Sequence, residues 1–109
     1  MDLLSSAENI HNSKFFFSRN ELTKILAYYS IGVSKGNWKD YAIHNNINEA
    51  SFYMFKHSLD SPYCILSKTN KFNNKSLIFN LQFKNKIKSR FDKIDDIISV
   101  LKRNELKII

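Results

Sequence analysis

The chain has few of the residues that form tight loops, crosslinks and phosphate-binding cradles. Among its 109 residues there are two glycines, one proline and one cysteine. A P-loop or a dinucleotide-binding fingerprint needs several glycines close together, so we expect neither. Cys64 has no second cysteine with which to form an internal disulfide, which is typical of a reducing compartment. These absences exclude a glycine-cradled nucleotide site and a disulfide-stabilised scaffold.

Long apolar runs and targeting signals are also missing. No apolar stretch approaches the length of a membrane span, and residues 1–13 lack the basic start and apolar centre of a secretory signal. Hydrophobic residues nevertheless make up 43% of the chain and aromatic residues 14%, which is too apolar for a disordered protein. We therefore expect one soluble, cytoplasmic domain over residues 14–109, preceded by a flexible tail over residues 1–13.

Patterns that carry catalysis or bind metal are not found either. The possible metal ligands are scattered along the chain: His11, His44, His57 and Cys64. They show no C-x-x-C or H-x-x-x-H spacing, and no G-x-S-x-G elbow or convincing carboxylate pair is present. We therefore expect no metal, no cofactor and no enzymatic activity.

What the chain does contain is a change from helical to strand periodicity. Ser18 and Glu21 form a capping-box pattern, and apolar residues at helical spacing follow it as far as Gly36, which predicts a first helix. Beyond Gly36 the period is two, which predicts strands over 38–44, 50–57, 63–68 and 77–83. An apolar stripe then predicts a closing helix: Phe91, Ile94, Ile97, Ile98 and Leu101. The fold class is therefore α+β, with an antiparallel sheet of about five strands and an N-terminal and a C-terminal helix packed on one face.

Several finer features are predicted as well. Residues 15–17 are expected to form a short strand, and residues 106–109 a last one. Apolar side chains at both parities of 52–55 indicate a central strand covered on both faces. A three-residue hairpin connection would keep Ile87 on the core side, opposite the end of the preceding strand. Ser89 is expected to cap the closing helix.

The charge of the chain is strongly positive. The net charge is +7 and the isoelectric point is about 9.6, which suggests an anionic partner. Lysine, asparagine, isoleucine and phenylalanine together supply 49 residues, and all four have A/T-rich codons, so a biased genome explains the overall excess equally well. The local distribution is more informative. No acidic residue lies between Asp60 and Asp92, whereas seven basic residues do: Lys68, Lys71, Lys75, Lys84, Lys86, Lys88 and Arg90.

Two arrangements of this basic stretch are possible. If a strand continues through 84–90, its cations alternate onto one face; if the chain turns there, Lys88 and Arg90 lie beside Asn80 and Gln82. Either arrangement predicts a surface for single-stranded nucleic acid or another polyanion, with Tyr63 or Phe72 available for base stacking. The alternative is a solvated sheet face in a lysine-rich proteome. The residues predicted to bind nucleic acid are Lys84, Lys86, Lys88, Arg90, Lys68 and Lys75.

A second candidate site lies where the first helix gives way to the sheet. Trp38, Asp40 and Tyr41, with Lys39 between them, combine two aromatic rings, a carboxylate and a cation, which is a mixture that can bind a ligand. The structural alternative is that Trp38 packs under the sheet while Asp40 caps or pairs locally.

The sequence also resembles a known family. The segment F-S-R-N-E-L-T-K-I-L running into G-N-W-K-D-Y-A-I, over residues 17–43, resembles a small alphaproteobacterial family described only as a domain of unknown function. The likeness extends more weakly over 15–107, through F-Y-M-F-K and I-K-S-R, and implies no activity. The order of strands and closing helix is also similar to the layout of Pur-type and Whirly-type single-strand nucleic-acid modules.

Together these features predict a non-enzymatic binding module that contacts single-stranded nucleic acid or another polyanion through 84–90. The alternative is a protein-interaction or assembly domain, homodimeric and without a nucleic-acid role. That alternative is indicated by the aromatic content, by a strand over 15–17 that would form a sheet edge, and by the apolar residues of 106–109.

Overall fold

The computed structural model describes residues 14–57, 60–70 and 77–108. The predicted tail over residues 1–13 lies outside the described residues, as do Phe72 and Lys75. The elements, in chain order, are α1 (Arg19–Ser34), β1 (Asp40–Asn45), β2 (Glu49–Phe55), β3 (Cys64–Thr69), β4 (Ile78–Phe83), β5 (Ser89–Phe91) and α2 (Ile94–Ile108).

The five strands form one antiparallel sheet in the order β1-β2-β3-β4-β5. Every strand pairs with the next strand along the chain, so β1 and β5 are the two edges. Both helices pack on the same face of this sheet. The predicted α+β class, the five-stranded antiparallel sheet and its two helices are confirmed.

The register of the sheet sorts apolar side chains onto the face that carries the helices. Phe52 of β2 lies opposite Leu66 of β3, and Leu66 lies opposite Leu81 of β4, so these residues form one row. All three are buried, and they pack with buried side chains from the two helices, including Ile25 of α1 and Ile97 of α2. The alternation of two residues along a strand therefore determines which side of the sheet becomes the core.

The first helix begins and ends where the sequence predicts. The Ser18 hydroxyl accepts a hydrogen bond from the Glu21 N–H at 3.1 Å, and the Glu21 carboxylate accepts one from the Ser18 N–H at 2.8 Å. This reciprocal pair is the predicted capping box. After the last turn, Gly36 adopts a φ of +82°, which a residue without a Cβ reaches at little cost.

Both predicted terminal strands are wrong. Residues 15–17 join no ladder: the Phe15 N–H donates to the Asn46 carbonyl at 2.7 Å, and Phe17 is buried in the core. At the other end, α2 continues to Ile108 and occupies most of the predicted strand 106–109. No glycine or proline interrupts the chain between Ile94 and Ile108, so nothing ends the helix earlier.

The connection between β4 and α2 also differs from its prediction. Ser89 does not cap a helix but begins β5. It pairs with Leu81 of β4, and Phe91 pairs with Phe79. The same register would set Ile87 opposite Phe83, as the three-residue connection implies. The ladder, however, ends at Ser89, and Ile87 is 92% exposed. Ile87 is therefore not a core residue.

Candidate functional site

No helix among the described residues covers the second face of the sheet, which we call the open face. The predicted covering of 52–55 on both faces is not found among the described residues. Phe52 and Met54 are buried on the helix side, whereas Tyr53 and Phe55 are partly exposed on the open face. An uncovered sheet face of this kind is accessible to a partner.

A row of polar side chains crosses the open face from one edge of the sheet to the other. Each member lies opposite the next on the neighbouring strand: His44, Ser51, Ser67, Asn80 and Arg90. With strands about 4.8 Å apart, the row spans about 19 Å. A second row runs beside it through Ala42, Tyr53, Ile65 and Gln82.

The two rows enclose a depression of about 180 Å³. Ser51 and Ser67 are buried and are small, so they leave space between larger neighbours. Tyr53, Gln82 and Lys88 also line the depression. Its lining combines hydroxyl and amide groups, an aromatic ring and one cation, with the Glu49 carboxylate at one end of β2. This combination can hydrogen-bond and stack against a planar polar ligand.

The basic residues of 84–90 follow the turning arrangement rather than a continuous strand. Asn85 has a φ of 64°, and the Lys86 N–H donates to the Phe83 carbonyl at 3.0 Å, which closes the hairpin. Arg90 consequently lies opposite Asn80, and Lys88 lines the depression. Both cations therefore belong to the same face as the polar row.

The other predicted nucleic-acid-binding residues are dispersed. Lys84 forms an ion pair with Asp60 at 3.1 Å, and the hydrogen bond from its ammonium group lowers the pKa of the Asp60 carboxyl. Lys86 lies in the exposed hairpin connection. Lys68 is 6% exposed and lies on the helix side, where its ammonium contacts the Glu21 carboxylate at 2.8 Å. Lys68 therefore does not belong to the surface that carries Lys88.

Tyr63, the other aromatic residue considered for stacking on bases, is occupied by packing within the protein. Its ring lies 6.0 Å from those of Trp38 and Phe83, and the Lys56 ammonium sits over it at 4.5 Å. The aromatic residue of the depression is instead Tyr53, which the sequence did not single out. The sequence pattern that could have indicated Tyr53 is the alternation of small polar with apolar residues in β2 and β3. Ser51 and Ser67 lie on the same face of the sheet as Tyr53.

Trp38, Asp40 and Tyr41 do not converge on one site. Trp38 is buried, with its indole against Gly32 and its Nε1 without a hydrogen-bond partner among the described residues. Tyr41 lies on the helix side and stacks on Phe52 with ring centroids 5.0 Å apart. Asp40 points to the opposite face, and its carboxylate accepts a hydrogen bond from the Tyr41 N–H at 2.8 Å. This geometry matches the structural alternative for the cluster.

Three further observations concern chemistry that the described part of the chain could perform. Cys64 is fully buried, and burial raises the pKa of its thiol to about 12, so it is a poor nucleophile. Within residues 14–57, 60–70 and 77–108, no three histidine, cysteine, aspartate or glutamate side chains group as a metal site would require. No helix in these ranges is long and apolar enough to cross a membrane.

One family profile matches most of the chain. The profile of a family described as "Protein of unknown function (DUF2794)" matches residues 15–90, which run from the segment before α1 into β5. The chain belongs to this family, and the predicted membership of a domain-of-unknown-function family is confirmed. Neither the curated proteins nor the solved structures give a significant match.

Proposed function

We propose that this protein is a non-enzymatic module that binds single-stranded nucleic acid on the open face of its sheet. The observation that carries the proposal is the polar row that ends in Arg90, together with the depression beside it lined by Lys88. The cationic end would contact phosphates, and the uncharged centre would contact bases.

The charges support phosphate binding at the β5 edge. The described residues include no ion pair of Lys86, Lys88 or Arg90 with a carboxylate, and all three side chains are exposed. Cations that are not already paired release counterions from a phosphate backbone when they bind it, which is the main source of affinity in such complexes. The net charge of +7 adds long-range attraction.

The centre of the open face supports contact with unpaired bases. Tyr53 offers a partly exposed ring, and Asn80 and Gln82 offer amide groups that can both donate and accept hydrogen bonds. Stacked and paired bases in a duplex do not present their ring faces, whereas single strands do. This is why we favour a single strand over a duplex.

The groups that line the depression suit binding better than catalysis. Its centre is lined by the hydroxyl and amide groups of Ser51, Ser67, Asn80 and Gln82, which do not ionise near neutral pH, and its charged members are Glu49 and Lys88. No general base is hydrogen-bonded to either serine among the described contacts, as nucleophilic catalysis would require. We therefore propose recognition without a chemical step.

The test is binding of labelled oligo(dT) and oligo(U) by fluorescence anisotropy over a series of salt concentrations. We expect Lys88→Ala/Arg90→Ala to weaken binding and to reduce the slope of log affinity against log salt by about 1.4, since each lost single-strand phosphate contact removes about 0.7. The matched control is Lys102→Ala/Arg103→Ala, which removes the same charge from exposed positions on α2. The control slope should stay close to that of the unmodified protein.

A second variant tests the role of the ring. Replacing Tyr53 with leucine keeps an apolar side chain at this position but removes the stacking surface. The expected loss is about 1–3 kcal/mol of binding free energy. Absence of binding at low salt would contradict the proposal, and so would equal slopes for the Lys88/Arg90 variant and its control.

A further inference from the structure

The outer edge of β1 has no partner strand among the described residues, and apolar side chains lie beside it. Within that part of the chain β1 pairs with β2 alone, and five of its six residues are exposed. Tyr41 and Ile43, on the helix side, are 42% and 41% exposed. The Tyr29 ring of α1 lies 5.0 Å from that of Tyr41, and Val33, one turn further along the helix, is 44% exposed. An edge of this kind is a template for pairing with another strand.

The hydrogen-bond pattern shows which backbone groups of β1 face outward. The Asn46 N–H donates to the Glu49 carbonyl at 2.9 Å, which closes the β1–β2 hairpin. Alternation from this pair directs the backbone groups of Tyr41 and Ile43 away from β2. The Tyr41 N–H is indeed free of the ladder, because it donates to the carboxylate of Asp40.

The sequence of β1 is complementary to itself when two copies run antiparallel about Ala42. In that register Tyr41 faces Ile43 of the second copy, and both are apolar and on the helix side. Asp40 faces His44 of the second copy on the open face, so a carboxylate meets a potential cation. These are the face-matched pairs that stabilise antiparallel strands.

The backbone geometry fits the same register. Tyr41 and Ile43, whose N–H and C=O groups face outward, become the hydrogen-bonded pairs. On pairing, the Tyr41 N–H exchanges its bond to the Asp40 carboxylate for one to the Ile43 carbonyl of the second copy, and the carboxylate is then available to His44. Ala42 meets its own copy at a non-hydrogen-bonded pair, where Cα atoms approach to about 4.5 Å and a small side chain is favoured. Charge complementarity, apolar pairing and backbone alternation therefore all indicate one partner, a second copy of this chain.

We propose that two copies pair through β1 about Ala42 and form a continuous ten-stranded sheet. The two-fold axis is perpendicular to the sheet, so α1 and α2 of both copies lie on one side and both open faces on the other. This pairing does not depend on nucleic-acid binding. It differs from the dimer predicted from residues 15–17 and 106–109, because neither of those segments forms a strand.

The test is sedimentation velocity on the full chain without nucleic acid, over a wide range of concentrations. We expect a monomer–dimer equilibrium. His44→Asp should raise the dimer dissociation constant about tenfold, because it sets two carboxylates opposite each other at both symmetric contacts. The exchange Asp40→His/His44→Asp restores opposite partners and should return the constant close to its original value.

Two lysine substitutions separate this edge from other surfaces. Ile43→Lys places a charge on the proposed interface and should shift the equilibrium to monomer. Ile87→Lys is the matched control, since Ile87 is 92% exposed and lies in the β4–β5 connection. It should leave the equilibrium unchanged. Circular dichroism and thermal melting verify that each variant is folded.

Several results would overturn the proposal. A monomer at every concentration would do so, including a monomer that arises because residues 1–13 of the same chain cover β1. A dimer insensitive to Ile43→Lys would show that another surface is used. A dimer weakened by Ile43→Lys but not by His44→Asp would contradict the register about Ala42.

Discussion

Gly32 allows the indole of Trp38 to pack directly against the backbone of α1. A Cβ at this position would overlap the indole Cδ1 and lie 2.6 Å from Nε1. Trp38 is buried and is held by the rings of Tyr28 and Tyr63, so it has little room to move away. The absence of one side chain therefore determines how the helix is attached to the start of the sheet.

We expect Gly32→Ala to lower the free energy of unfolding by about 1–3 kcal/mol, the usual cost of overpacking. This is opposite to the gain of about 1 kcal/mol that alanine brings to an unhindered helix position. Urea denaturation measures the change, and Ser30→Ala, at an exposed position of the same helix, is the control. A Gly32→Ala variant as stable as the control would show that the indole is not confined.

The buried thiol of Cys64 gives a second prediction for a single residue. Burial raises the pKa of the thiol from 9.0 to about 12, so at pH 8 the folded protein holds far less thiolate than the unfolded chain. Labelling by a thiol reagent should be slow in buffer and rapid in denaturant. The unfolded chain releases this proton first, so the free energy of unfolding should fall as pH rises above about 9. Rapid labelling in buffer would contradict the burial.

At the scale of elements, one carboxylate connects α1 to β3. Glu21 Oε1 accepts hydrogen bonds from the Ser18 N–H and from the Lys68 ammonium, both at 2.8 Å. Lys68 also donates to the Phe16 carbonyl at 3.3 Å and lies over the Phe15 ring. The capping box and a nearly buried ion pair therefore share one atom.

We expect Glu21→Gln to cost about 3 kcal/mol of stability, because glutamine can still cap the helix but leaves the Lys68 charge without its counter-ion. Lys68→Met should reduce stability by less, because the Glu21 carboxylate would still lie at the N-terminus of α1, where negative charge is favourable. Urea denaturation of both variants and of the double variant tests this order. A larger loss of stability in Lys68→Met than in Glu21→Gln would contradict this explanation, because it would show that the unpaired, buried Lys68 charge is not the main source of destabilisation.

The elements also show what the sequence could predict. The capping box at Ser18 and the alternation of β2 to β4 are local patterns, and these elements formed as predicted. The Glu21–Lys68 pair joins residues 47 positions apart, so no local pattern indicates it, and Lys68 was expected at the surface. Residues 15–17 have strand-forming composition, but a strand also needs a partner, which the sequence does not show.

The open face could be predicted only in part. The notion that Lys88 and Arg90 lie beside Asn80 and Gln82 followed from hairpin geometry, and the structure has this arrangement. The row through Ser51 and Ser67 was missed because apolar residues at both parities of 52–55 indicated a covered strand. Whether a sheet face is covered depends on where both helices pack, which is a property of the whole fold.

At the scale of the whole molecule, the two faces of the sheet differ in chemistry. The helix side contains the core and the Glu21–Lys68 pair, and a further ion pair joins Lys24 to Asp95 between the helices at 2.8 Å. The open face carries hydroxyl, amide and aromatic groups with cations at the β5 edge. This asymmetry is the basis for assigning binding to the open face.

The most direct test of that assignment is the change in backbone amide chemical shifts of ¹⁵N-labelled protein during titration with oligo(dT). We predict that the largest shifts fall on the open face, at Ser51, Tyr53, Ser67, Asn80 and Lys88, while amides in the middle of α1 and α2 change little. Shifts concentrated on the helices, or no shifts at low salt, would contradict it.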